Sequence, residues 1–190
     1  SQYRRKIFEK NKLQMKPVVM FKSKTIKDSQ AFYHEFIEGI KGLKSETLQA
    51  IRNKSSDENI LKIFEYVDVH SITLDNLIIE LKEDFSEDKL IEVNSKEESE
   101  TKQIAVNSLE SNEYRAVFAV DKLNEGWDVL NLFDIVRLYN TRDAKGNKVG
   151  KTTMQEAQLI GRGARYCPFQ TSPEQPIDGR KFDSDTDNEL

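Results

Sequence analysis

Five apolar residues in a row, Ala116-Val117-Phe118-Ala119-Val120, constrain the fold more than any other stretch of the chain. A strand with one wet face alternates apolar and polar side chains, whereas an unbroken run rich in β-formers suits a strand buried on both faces of a parallel sheet. Pro17 opens a second run of this kind, Val18-Val19-Met20-Phe21, and Leu90 to Val93 and Phe133 to Tyr139 are further strand candidates. Amphipathic stripes lie between them. Phe32, Phe36, Ile40 and Leu43 predict a helix over 28–43, and Ile60, Leu61, Phe64 and Val67 a second one behind a capping-box spacing at Ser55 and Glu58. Leu74, Leu77, Ile78, Leu81 and Phe85 predict a third with Thr73 as its cap, and residues 101–111 a short fourth. Apolar runs that alternate with such stripes predict an α/β fold, a mostly parallel central sheet flanked by helices.

Composition narrows the function classes. The 190 residues suit one domain, or one with a small appendage. A net charge of -4 argues against nucleic-acid binding by bulk charge, so any such contact needs a local patch. The single cysteine, Cys167, excludes an internal disulfide, and with only His34 and His70 beside it a structural metal site is not expected. No apolar run approaches membrane-spanning length, and the chain reads as soluble and cytoplasmic. Residues 1–16 carry Arg4, Arg5, Lys6, Lys10, Lys12 and Lys16 against Glu9, which reads as a basic linker or N-terminal extension, with a DNA-facing helix as the sharper alternative. Residues 170–190 form an acidic, Pro-containing tail, expected to be poorly ordered or to continue into a further domain.

Residues 153–166, Thr-Met-Gln-Glu-Ala-Gln-Leu-Ile-Gly-Arg-Gly-Ala-Arg-Tyr, carry the chemistry. On a helix, Gln158, Arg162 and Arg165 fall within about 60° of one another around the axis. Ala157, Ile160 and Ala164 take roughly the opposite face and can seat the helix on a core. One side then presents an amide and two guanidinium forks, which suits a phosphate chain; a solvated surface helix is the plainer alternative. Gly161 and Gly163 each cost about 1 kcal/mol in a helix, which favours a close backbone approach there. The order Gln-x-x-Gly-Arg-x-x-Arg resembles motif VI of the superfamily 2 helicases. The resemblance implies that Arg165 is an arginine finger, Arg162 a second phosphate or interdomain contact and Gln158 a polar partner in the same cleft.

After the central run comes Asp121-Lys-Leu-Asn-Glu-Gly-Trp-Asp128, placed where the carboxyl edge of a parallel sheet would present it. A carboxylate there can accept hydrogen bonds from a ribose, and Gly126 permits close backbone approach; an ordinary loop whose acids cap local amides is the alternative. Ser23, Lys24 and Thr25 follow the first strand run at the same kind of edge, where they could touch a phosphate backbone or cap the next helix. Residues 121–128 resemble helicase motif V, and residues 17–25 fall where motif IV belongs. The wording Leu-Asn-Glu-Gly-Trp-Asp-Val, followed by Glu-Ala-Gln-Leu-Ile-Gly-Arg-Gly-Ala-Arg-Tyr, resembles the motor subunit of type III restriction enzymes.

That resemblance implies a second RecA-like domain, of P-loop NTPase type, over residues 17–169. By it Asp128 is the ribose contact, Gly126 the close-approach glycine, and Ser23, Lys24, Thr25 and Asp121 lie toward nucleic acid. ATP and Mg2+ would be bound mainly by a first RecA-like domain upstream in the same polypeptide, with double-stranded DNA and a modification (methyltransferase) subunit as partners. The parent would be an ATP hydrolase and helicase that couples translocation to endonucleolytic cleavage. Gly146-Asn-Lys-Val-Gly150-Lys151-Thr152 imitates a P-loop but is one residue short between its glycines, so this chain alone is expected to be inactive. A superfamily 2 helicase without a nuclease, or a non-catalytic nucleic-acid-binding module, are the other readings.

Overall fold

The computed structural model describes residues 1–94, 100–120, 129 and 131–139. Its framework is a four-stranded sheet of β1 (Val18–Lys22), β2 (Leu90–Val93), β3 (Ala116–Ala119) and β4 (Leu132–Arg137), in the order β2-β3-β1-β4. Every pairing is parallel, with Val19 opposite Ala116 and Leu90 also opposite Ala116. All four residues of β3 are buried, as its unbroken apolar run requires. The strand lies inside the sheet, between β2 and β1.

The two faces are covered by different parts of the chain. Helices α2 (Ile26–Lys41), α3 (Ser45–Lys54), α4 (Glu58–Val69) and α5 (Leu74–Asp84) all belong to the β1–β2 connection. Ile37 of α2 and Phe85, which ends α5, pack on Val19, Leu90, Ala116 and Phe118. Helix α6 (Glu100–Asn107) joins β2 to β3 and covers the other face, where Val106 and Leu109 meet Val18, Met20, Ile91, Val93, Val117 and Ala119. Leu48, Phe64, Val67, Leu77 and Ile78 close a third cluster between α3, α4 and α5.

Helix starts follow from side-chain caps. Thr25 and Thr73 accept from the backbone N–H of Asp28 and Asn76. At α4 the expected capping box is replaced: Asp57 accepts from Asn59 and Ile60, while Ser55 accepts from the N–H of Asp57 one step earlier. A carboxylate beside the positive end of a helix is the stronger acceptor of the two. Helix α3 has no counterpart among the sequence expectations, since Leu48 is its only buried residue and leaves too thin a stripe.

The basic amino-terminal segment is an α-helix, α1 (Gln2–Lys10), with Lys6, Ile7 and Phe8 buried. The β1–β4 register shifts so that Val18 faces Leu132 and Val19 faces Asp134, leaving Phe133 as the extra residue. A bulge re-aims its side chain. Phe133 meets Phe8 edge-on at 5.1 Å, with the guanidinium of Arg4 5.3 Å from the Phe133 ring centroid.

Candidate functional site

Connectivity picks out one edge of the sheet. Strand β1 runs at its carboxyl end into α2, which packs on one face, while Val129 of the β3–β4 connection is buried on the opposite face, the one covered by α6. Two adjacent parallel strands whose connections part to opposite faces open a crevice beyond their carboxyl ends, and ligands of open α/β sheets bind in such crevices. Here Ser23-Lys24-Thr25 stand at that edge on the β1 side, and Val120 is the last residue described after β3 before Val129.

Ser23 is 2% exposed, and its backbone N–H donates to the carbonyl of Ala119 at 2.9 Å, which stitches the ends of β1 and β3 together. Lys24 is exposed at the rim. Thr25 caps α2: its hydroxyl accepts from the N–H of Asp28 at 3.1 Å and donates to the Asp28 carboxylate at 2.7 Å. Both functions of that hydroxyl are occupied by local structure, which leaves Lys24 as the side chain of the three that can reach a phosphate. Thr25→Ala is expected to cost about 1 kcal/mol through loss of the cap, and Thr25→Ser to recover most of it, in denaturant-midpoint measurements.

Sequence reasoning passed over two cations at this edge. Lys22, the last residue of β1, is only 2% exposed, and its carbonyl accepts from Leu138 at 2.9 Å. Arg137 ends β4 with its guanidinium 5.7 Å from the Tyr139 ring centroid. The signal was a basic residue closing an apolar strand run, a position at the carboxyl edge of a parallel sheet. Asp121, Gly126, Asp128, Gln158, Arg162 and Arg165, together with the P-loop imitation at 146–152, lie outside the described residues. The described part of the site is therefore the scaffold and rim, and it holds no phosphate cradle of its own. Among the described residues no group of His, Cys, Asp or Glu side chains could hold a metal ion, and no helix is long and apolar enough to cross a membrane.

The opposite, amino edge of the sheet is held by polar groups. Lys16 donates to the carbonyls of Asn112 and Tyr114, both at 2.5 Å, and the Asn131 amide donates to the carbonyls of Lys16 and Leu109 at 3.0 and 2.9 Å. Burial pushes the Lys16 ammonium down to about 8, against the opposing pull of Glu113. A lysine that holds its proton less tightly when folded lowers stability below that value, and stability rises with pH toward the unfolded value. Burial also lowers Arg115 to about 10, and burial raises Tyr33, so those two act mainly above pH 10. Denaturation midpoints should therefore rise between about pH 8 and 10, and that slope should flatten in Lys16→Met.

An all-parallel sheet in this order, covered by helices on both faces and opened at the β1–β3 switch point, defines a RecA-like α/β domain. Over 160 aligned residues the chain is 34% identical to the probable type III restriction-modification enzyme HindVIP Res subunit of Haemophilus influenzae, a match that covers 72% of this chain and 31% of that protein. The chain is thus a relative of type III restriction-modification Res subunits, and it spans less than a third of the length of the curated relative it matches. A family model, HI_1054_N, described as an N-terminal region, matches residues 152–190. That match runs across the expected boundary between the domain and the acidic tail. No solved structure matches the chain.

Proposed function

We propose that this chain is the second RecA-like domain of an ATP-dependent DNA translocase in a type III restriction-modification complex. The observation that carries the reading is the coincidence of two independent lines. The topology opens its crevice between the ends of β1 and β3, and those are the places in the sequence where the motif IV and motif V resemblances fall. The similarity to a Res subunit supports the same assignment.

In this account Asp128 contacts the ribose, Gly126 allows the backbone to approach, and Asp121 stands on the DNA side of the loop. Gln158 and Arg162 hold the closed cleft, and Arg165 stabilises charge on the transferring phosphoryl group of ATP, which is bound with Mg2+ mainly by an upstream RecA-like domain. Cleavage and modification belong to other parts of the complex. Double-stranded DNA reaches the rim at Lys24, whose charge is placed to meet a phosphate without sequence reading.

A motor polypeptide that contains this domain tests the reading through its DNA-stimulated ATP turnover. Lys24→Glu should raise the DNA concentration for half-stimulation by about tenfold, roughly the worth of one phosphate contact turned repulsive, and leave turnover at saturating DNA near its original value. An unchanged half-stimulation point would remove Lys24 from the DNA path. Absence of any DNA stimulation in the unaltered protein would remove the translocase reading itself.

A further inference from the structure

The basic helix α1 does not stand apart from the sheet. Arg5 of α1 pairs with Asp84 at the end of α5, and Lys6 pairs with Glu80 at 2.6 Å. Asp84 is 4% exposed and also lies 3.6 Å from the guanidinium of Arg115, which is 1% exposed at the foot of β3. Arg115 reaches Gln2 of α1 at 3.3 Å, donates to the carbonyl of Pro17 just ahead of β1, and places its guanidinium 5.3 Å from the Phe85 ring centroid. Its backbone is part of the sheet ladder, with its N–H on Lys89 and its carbonyl on Val19 at 2.8 and 3.0 Å. One carboxylate is thus shared by Arg5 of α1 and by Arg115, the residue immediately ahead of β3.

That sharing is incomplete. Among the described residues the Arg115 Nε and the Asp84 Oδ2 are buried without a hydrogen-bond partner. A buried charge network that is only partly satisfied depends strongly on each remaining partner. If α1 leaves, Asp84 and Arg115 lose Arg5 and Gln2 together, and two buried ions must rearrange at the foot of the central strands.

We propose that α1 is a clasp on the foot of β3, so that its docking and the ordering of the β1–β3 ladder form one coupled equilibrium carried through Asp84 and Arg115. The consequence is mechanical. A pull on the segment ahead of β1 would reach, through these ion pairs, the strand whose sequence continues into Asp121–Asp128. The clasp depends on this chain's own packing, whether or not the parent is a translocase.

Amide hydrogen exchange on the 190-residue chain tests it, with Arg5→Met keeping the bulk of the side chain while removing its charge. Exchange at Val19–Phe21 and Val117–Ala119 should accelerate by about tenfold more than at Leu48 of α3 in the helical cluster, because sub-global opening is local to the coupled unit. Arg115→Met combined with Arg5→Met should accelerate it by less than the product of the two single effects. Acceleration confined to α1, or equal across the whole chain, or strictly multiplicative effects in the double variant, would overturn the clasp. If Arg115→Met fails to fold, Arg5→Met alone still decides through the comparison of strands with the helical cluster.

Discussion

Replacing Arg165 by lysine in a motor polypeptide that contains this domain is expected to cut DNA-stimulated ATP turnover by about 10³- to 10⁵-fold. An arginine finger acts by placing a planar fork against charge that spreads over the equatorial oxygens of the transferring group. Lysine offers a point charge on a flexible stem and cannot hold two oxygens at once. The fold should survive the change, because Arg165 falls on the side of its expected helix away from Ala157, Ile160 and Ala164. Steady-state turnover at saturating DNA, taken together with the unfolding midpoint, separates the two effects. Near-normal turnover in the variant would remove Arg165 from the reaction, whatever the fate of the rest of the site.

Phe118→Ala should be the most damaging single change to the fold itself. Phe118 is 1% exposed, with ring centroids of Tyr33, Phe21, Phe36 and Phe32 at 5.1, 5.2, 5.4 and 6.0 Å around it. Truncation leaves a cavity that none of these rings can fill without leaving its own neighbours, and such changes cost about 3–5 kcal/mol. Native domains have only about 5–15 kcal/mol to lose, so the denaturant midpoint should fall by about a fifth or more. Phe118→Leu keeps most of the volume and should cost far less. Equal midpoints for the two variants would show that the aromatic cluster is not the centre of the core.

The two central strands were legible because burial on both faces writes itself as an unbroken apolar run at 18–21 and 116–120. Their order was not. Nothing local says that β3 lies between β2 and β1, since that depends on where α2 to α5 and α6 pack, and the switch-point crevice depends on that order. Segment 1–16 illustrates the same limit. Its arginines and lysines read as a solvated linker because their partners, Glu80 and Asp84, lie far away in sequence and across the fold. Arg115 escaped notice as a polar residue on the flank of an apolar run, yet it is one of the most deeply buried side chains. At the site itself, Thr25 could be read either as a cap or as a phosphate contact, and the hydrogen bonds to Asp28 show it as the cap. Motifs V and VI were legible only as resemblances, because spacing can place an arginine on a helix face but cannot say what that face meets.

In the proposed function Arg162 and Arg165 form half of an ATP site completed by another domain of the same polypeptide. The most direct measurement is the coding sequence on both sides of these 190 residues. The expected frame carries Gly-x-x-x-x-Gly-Lys-Thr and an acidic Asp-Glu-x-His box upstream, with a carboxylate and lysine nuclease motif downstream. A frame that opens near Ser1, with neither phosphate-binding motif ahead of it, would contradict the claim and leave the two arginines without a nucleotide to meet.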